Sequence, residues 1–260
     1  MTSMVYDFAG FVVDNNLIEL IQSNLKYLHL QVDHSRRSSK TKKGTVQFGL
    51  PRSFSNGSIR LIYSSDWTSG FYAGCLWYMF AYTGNSYWRQ LALQETNILE
   101  MEKFNNRSHD IGFKMYNSFG NGFRLTKDSR YSVILLESAM TLLGRYNTKV
   151  GAIKSWDFNT KEWRFPVIID SMMNLELLFW AHKQSGNQVF YDVAVSHANR
   201  VMANHFRQDS SSFHVVDYDE RSGSVRKKMT YQGYSDSSGK ISIQCHRLRE
   251  WTLGSFLIYF

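Results

Sequence analysis

Two aspartates are the first candidates for chemistry, because each adjoins a run of apolar residues. Asp110 precedes the apolar residues 111–113, and Asp170 follows the β-branched run 167–169. Burial raises the pKa of a carboxyl group, and an acid catalyst that works near neutral pH needs such a raised pKa. The alternative is that each aspartate only caps the helix that follows it.

A repeated pair of helices is predicted to position these aspartates. Three apolar helical stretches are each followed by a small polar turn and a second apolar helix. The turns are Thr83-Gly84-Asn85, Thr126-Lys127-Asp128 and Ser185-Gly186-Asn187. A residue near each turn can end one helix, and the Asn or Asp after it can cap the next. Irregular repeats of helix pairs predict an all-α toroid or solenoid.

The long inserts between helix pairs are expected to cluster at the end opposite the tight turns. They cover residues 103–110, 145–169 and 206–236. Asp110 and Asp170 lie at equivalent points of successive pairs, so we expect both to face one cavity. Glycoside hydrolases commonly use such paired carboxylates.

A helix is also predicted ahead of the repeats, over residues 15–31. Its spacing places several apolar side chains on one face. They are Leu17, Leu20, Ile21, Leu25 and Leu28.

Three further residues are weaker candidates for binding. Trp67 in the segment DWTSG is either a stacking platform or a packing residue beside a helix cap, and the sequence favours neither. His214 lies in a predicted short strand, where a lone histidine is more often structural than catalytic. Gln232 can bind a hydroxyl or a carboxylate, but a single Gln indicates little.

Composition limits the class of protein. The chain has 260 residues, 43% of them hydrophobic, and a formal net charge of +8, which favours acidic partners. Its one dense basic run, residues 35–44, is interpreted as an exposed loop, with a nucleic-acid patch as the less favoured alternative. Two cysteines without zinc-ligand spacing, and no phosphate-binding loop or nucleophile elbow, predict neither metal nor cofactor.

Localisation is less constrained. No signal peptide and no apolar run of membrane-spanning length is visible, so we expect a soluble protein in the cytoplasm or the periplasm.

Six motifs in order resemble one enzyme family. They are DWTSGFYAGCLWYMFAYTG, HDIGFKMYNSFGNGFRLT, VGAIKSWDF, FPVIIDSMMNLELLFWA, HVVDYD and TYQGYSD. Together they closely resemble the unsaturated glucuronyl hydrolases of glycoside hydrolase family 88, from about residue 45 to residue 238. The related unsaturated rhamnogalacturonyl hydrolases are less similar.

This resemblance implies an (α/α)6 barrel, a ring of six helical hairpins. It implies removal of a Δ4,5-unsaturated uronic acid from the non-reducing end of lyase-generated oligosaccharides, beginning with hydration of the double bond. By position in the motifs, Asp170 matches the family's acid/base and Asp110 the second essential aspartate. Trp67, His214 and Gln232 match substrate-binding positions.

The resemblance stops after Ser238, where the family usually continues with a segment like Trp-Ala-Arg-Gly. We therefore expect one incomplete toroid domain over residues 1–260, with an atypical tail at residues 239–260. The expected partner is an unsaturated uronic-acid oligosaccharide rather than nucleic acid or membrane. Two alternatives stay open: an inactive fragment of such an enzyme, and a non-enzymatic helical-repeat binding module.

Overall fold

The computed structural model describes residues 5–6, 12–13, 15–38, 48–55, 58–209 and 211–231. Gln232 and the predicted tail at residues 239–260 lie outside these described residues. The loop prediction for residues 35–44 is wrong at its start, because the first helix continues through Ser38; residues 39–44 are not among those described. No helix in the described ranges is long and apolar enough to cross a membrane.

Helices account for most of the described chain. The α-helices are α1 (Asn15–Ser38), α2 (Ser69–Thr83), α3 (Ser86–Asn97), α4 (Ile111–Met115), α5 (Asn121–Thr126), α6 (Ser129–Leu143), α7 (Leu175–Ser185) and α8 (Gln188–His205). Two short 3-10 helices cover Glu100–Phe104 and Ile169–Asn174. A π-helical turn, Tyr116–Gly120, joins α4 to α5.

The strands are short and lie outside the helical hairpins. They are β1 (Val5–Tyr6), β2 (Val12–Val13), β3 (Phe48–Ser55), β4 (Ser58–Tyr63), β5 (Tyr146–Asn147), β6 (Ala152–Ile153), β7 (Phe165–Ile168), β8 (Val215–Tyr218) and β9 (Val225–Met229). All pair antiparallel, in the hairpins β1–β2, β3–β4 and β5–β6 and in the sheet β7–β8–β9.

The three predicted helical hairpins are confirmed. They are α2 with α3, α4–α5 with α6, and α7 with α8. A residue with a left-handed backbone ends the first helix of each pair: Gly84, Lys127 and Gly186. The following Asn85, Asp128 and Asn187 each accept a backbone N–H at 2.9, 3.0 and 3.0 Å, so each caps the second helix as its side-chain chemistry predicts.

The three inserts meet, as predicted. Strand β7 of the insert 145–169 pairs with β8 of the insert 206–236, with Pro166 opposite Asp217. An isolated bridge between Ser108 and Trp156 attaches the insert 103–110. Hydrogen bonds between inserts therefore fix the end of the fold at which both aspartates lie.

The buried face of α1 only partly matches the face that the leucine spacing marks. Leu25 and Leu28 are partly buried and pack against the core. Leu17, Leu20 and Ile21 are exposed, whereas Ile18 and Val32 are buried. The reason is that α1 packs against the β3–β4 hairpin. This contact buries a stripe rotated from the face that the leucine spacing indicates.

Candidate active site

Asp110 lies at the start of α4 but does not cap it. Its side chain makes no capping hydrogen bond. Oδ2 instead accepts a hydrogen bond from the Ser108 hydroxyl at 2.8 Å, and Oδ1 lies 3.2 Å from His109 Nε2. The capping interpretation of Asp110 is therefore wrong.

Asp170 lies in the 3-10 helix that follows β7, which agrees with the predicted extended approach and a helix start near this residue. The N-cap position of this 3-10 helix belongs to Ile168, so Asp170 lies within the helix rather than at its cap. Oδ1 is buried and accepts no hydrogen bond within the described part of the chain, and the His109 Nε2 atom lies 3.7 Å away. The helix thus fixes the position of the Asp170 carboxyl group while its Oδ1 atom stays without a hydrogen bond.

Asn174 joins the segments that carry the two aspartates. Asn174 lies about one turn after Asp170 along the chain. Its Oδ1 accepts the backbone N–H of Phe113 at 2.8 Å. A Cβ atom at Gly112 would lie only 2.7 Å from the Cα atom of Asn174. This close approach requires glycine, and it brings Asp110 and Asp170 to a common histidine.

The surroundings drive the pKa values of the two aspartates apart. Burial, reinforced by the negative charge of Asp110, raises the pKa of Asp170 to about 6, against the opposing effect of His109. Burial alone would raise the pKa of Asp110 too, but His109 and the Ser108 hydroxyl outweigh it, so that pKa is lowered. Such divergence separates a proton donor from a permanent anion.

The raised pKa of Asp170 predicts a pH-dependent stability difference in Asp170→Asn. Because the folded-state pKa lies above the unfolded one, folding loses stability as pH rises from about 4 through about 6. The loss amounts to up to about 3 kcal/mol. We expect Asp170→Asn, which cannot ionise, to be more stable than the parent at pH 8 and similar at pH 4. Denaturant unfolding at both pH values measures this, and an equal difference at both would contradict it.

Trp67 contacts the helix that follows Asp110. Its side chain is 45% exposed, and its ring lies 6.2 Å from that of Phe113, centroid to centroid. The Arg52 guanidinium lies 5.9 Å from the ring centroid and forms an ion pair with Asp66 at 2.7 Å. Asp66 accepts hydrogen bonds from the backbone and the hydroxyl of Thr68, so Asp66 holds the turn before α2 while the Trp67 side chain stays partly exposed.

His214 is also near. It is buried, and its carbonyl accepts the N–H of Ile169, the residue before Asp170, at 2.9 Å. Its Nδ1 accepts the Tyr231 N–H at 3.3 Å, and burial lowers its pKa to about 4, so the ring is neutral. The structure thus brings Asp110 and Asp170 together at His109, attaches His214 to the residue before Asp170, and connects Trp67 to the α4 segment through Phe113. Gln232 lies outside the described residues.

An aromatic stack was not predicted. The ring of Trp156 stacks on Phe158 at 5.3 Å and on Tyr231 at 5.4 Å. The Phe158 side chain is 56% exposed, and Trp156 is bridged to Ser108 beside the aspartates. Trp156 and Phe158 lie two residues apart in the motif VGAIKSWDF, so the sequence could have indicated this aromatic pair. Tyr231 is distant in sequence and joins the pair only through the fold.

Two more residues escaped the sequence analysis. His109 directly precedes Asp110, and nothing in the sequence showed that its ring would also reach Asp170. Asn174 lies four residues after Asp170, within a stretch predicted to be an apolar helix. No group of three or more potential metal ligands occurs among the described His, Cys, Asp and Glu residues.

Comparison with known proteins gives consistent matches. An unsaturated glucuronyl hydrolase of Formosa agariphila is 48% identical over 192 residues, which are 73% of this chain and 48% of that protein. An unsaturated chondroitin disaccharide hydrolase of Streptococcus agalactiae is 32% identical over 226 residues, 85% of this chain and 54% of that protein. The chain therefore spans about half the length of the curated relatives it matches. No protein-family model matches it.

Solved structures agree with the sequence matches. The crystal structure of an unsaturated glucuronyl hydrolase specific for heparin superposes with a TM-score of 0.71 and 38% identity, covering 83% of this chain and 56% of that one. The helical hairpins are thus those of an α/α toroid, as the resemblance implied. The chain belongs to the unsaturated glucuronyl hydrolases of glycoside hydrolase family 88.

Proposed function

We propose that this chain carries the catalytic aspartates of a glycoside hydrolase that removes a Δ4,5-unsaturated uronic acid from the non-reducing end of lyase-generated oligosaccharides. The observation that carries the proposal is the difference between the pKa values of the two carboxyl groups, which lie on either side of His109. Asp170 has its pKa raised to about 6, and Asp110 has its pKa lowered. One group can therefore donate a proton near neutral pH while its neighbour stays anionic.

In the proposed reaction, protonated Asp170 donates its proton to C4 of the double bond. Positive charge develops at C5 and the ring oxygen, and the anionic Asp110 close by favours it. Water adds at C5 and gives a proton back to Asp170, so that the acid is restored. The resulting hemiketal opens to a ketone at C5, and the hemiacetal left at C1 releases the leaving sugar.

The other site residues are proposed to bind the sugar. Trp67 offers an exposed ring against which the C–H face of a sugar can pack. His214, neutral and next to the Asp170 segment, can exchange hydrogen bonds with hydroxyl groups. Gln232 is assigned to binding by the resemblance alone. The net charge of +8 is compatible with a uronate substrate.

The names of the relatives limit the class of substrate that we propose. One matched protein is named for unsaturated chondroitin disaccharide and one matched structure for heparin, so we propose a substrate of the glycosaminoglycan type. We further propose that the helical hairpins and the inserts between them belong to a single toroid-type domain.

Incubation of the purified chain with unsaturated chondroitin, hyaluronan and heparin disaccharides tests the proposal. We expect the alkene absorbance to fall and the leaving sugar to appear by chromatography. Unchanged absorbance with every unsaturated uronide, from a sample shown to be folded, would contradict it. Binding without loss of absorbance would instead support a binding module. Faster turnover of an unsaturated galacturonyl-rhamnose disaccharide would indicate the rhamnogalacturonyl specificity.

A further inference from the structure

His109 is held rigidly between the two aspartates. Its side chain is 4% exposed, and its backbone N–H donates to the Ser155 carbonyl at 3.0 Å. Its own carbonyl accepts the N–H of Gly112 at 3.2 Å. The ring Nδ1 is buried and has no hydrogen-bond partner among the described residues, so it is the near-complete burial of the side chain that leaves the imidazole little room to rotate.

One ring nitrogen of His109 faces both carboxyl groups, at unequal distances. Nε2 lies 3.2 Å from Asp110 Oδ1 and 3.7 Å from Asp170 Oδ1. An N–H group donates a good hydrogen bond to one acceptor, and 3.7 Å is beyond hydrogen-bond range. The bond therefore goes to Asp110, and the Asp170 oxygen is left without one.

We propose that His109 is a positioning residue that decides which carboxyl group holds the acidic proton. Its hydrogen bond keeps Asp110 as the anion and leaves the proton on Asp170. This inference rests on the proposed function, because it concerns the readiness of the proposed acid.

The charges around His109 support this arrangement. Burial would lower the pKa of His109, but Asp110 and Asp170 outweigh burial and the opposing Arg145, so that pKa is raised. Lys114 also lowers the pKa of Asp110, although its own ammonium is paired with Glu102 at 2.8 Å.

A second buried histidine, His197, lies near the site and is neutral. The pKa of His197 is lowered to about 3, by burial first and by the neighbouring His109 next. Its Nδ1 accepts the Ile153 N–H at 2.9 Å, and its Nε2 lies 2.8 Å from the Ser171 hydroxyl. Of His109 and His197, His109 is thus the one whose pKa the aspartates raise.

The test replaces His109 with Gln, which keeps an amide donor and removes the charge. Because His109 lowers the pKa of both aspartates, we expect both carboxyl pKa values to rise in His109→Gln. The pKa of Asp110 should rise more, since Asp110 is the nearer group, so that the gap between the two values narrows. The pH–rate profile should move to higher pH by about one unit, since an opposite charge within a few ångströms shifts a pKa by that much or more. A lower kcat with an unmoved profile would indicate a structural role and overturn the inference.

The matched control is His205→Gln. His205 is also fully buried, but its Nε2 lies 2.9 Å from the Val167 carbonyl, and its ring is neutral because burial lowers its pKa to about 4. We expect His205→Gln to change stability and leave the midpoints of the pH–rate profile in place. A shift as large as that of His109→Gln would overturn the inference.

Carboxyl ¹³C titration by NMR separates this inference from the proposed function. Asp110→Asn and Asp170→Asn assign the two signals, and no substrate is needed. Shifted pKa values in His109→Gln without turnover by the parent would contradict only the proposed function; turnover with unshifted values would contradict only the role of His109. If His109→Gln fails to fold, ¹⁵N NMR titration of the parent protein tests the inference instead. We expect His109 to stay protonated while Asp170 loses its proton. A neutral His109 in that pH range would overturn the inference.

Discussion

Asp170→Asn is expected to lose turnover of an unsaturated disaccharide by about 10³-fold or more, since removing a general acid–base commonly costs 10²–10⁴-fold and the proposed acid acts twice in the reaction. The asparagine side chain has the same shape and cannot donate a carboxyl proton to C4. Loss of alkene absorbance under single-turnover conditions measures the effect.

Folding should survive this substitution. The Asp170 Oδ1 atom accepts no hydrogen bond among the described residues, so the substitution removes no bond at that atom. Asp192→Asn is the matched control, because Asp192 is exposed and accepts a hydrogen bond only from Gln188 at 2.9 Å among its described contacts. Retained turnover in Asp170→Asn, or an equal loss in the control, would remove Asp170 from the proposed role.

Glu102→Gln is expected to have the largest effect on stability. Glu102 Oε2 accepts hydrogen bonds from Lys114 Nζ at 2.8 Å and Asn105 Nδ2 at 2.7 Å, and Oε1 accepts the Ser64 hydroxyl at 2.7 Å. Lys114 is 1% exposed, so removing the carboxylate leaves a buried ammonium uncompensated. Breaking such a pair costs about 3–5 kcal/mol.

Denaturant unfolding with two controls measures this cost. Glu100→Gln removes a half-exposed partner of Lys103 at 3.4 Å, and we expect at most about 1 kcal/mol. Combining Glu102→Gln with Lys114→Met should recover much of the loss, because no buried charge remains. Equal losses in Glu100→Gln and Glu102→Gln would contradict the role of the buried pair.

The Glu102 network also has a pH dependence. Burial would raise the pKa of Glu102, but Lys114, Asn105 and the Ser64 hydroxyl outweigh it, so that pKa is lowered. A lowered carboxyl pKa contributes stability above its unfolded value, and this contribution is lost as pH falls through the folded value. The same pair fixes α4, which Asp110 precedes, so the stability of the network and the geometry of the site are linked.

Local chemistry made the hairpins predictable. A cap needs only a side chain and a backbone N–H two residues away, as at Asn85, Asp128 and Asn187. The extended segment before Asp170 was equally local, since Pro166 and three β-branched residues disfavour a helix there. The buried face of α1 could not be predicted in this way, because it depends on where a separate β-hairpin packs.

The candidate aspartates, the helical repeat and the family follow from the sequence alone. Motifs, periodicity and caps are properties of neighbouring residues, so they can be recognised without knowledge of the fold. Packing in three dimensions was needed to show that the Asp110 side chain does not cap α4, that the two carboxyl groups differ in pKa, and that His109 lies between them. Those properties depend on dielectric surroundings and on distances between atoms about sixty residues apart in sequence, which only packing of the inserts and of Asn174 against α4 can set.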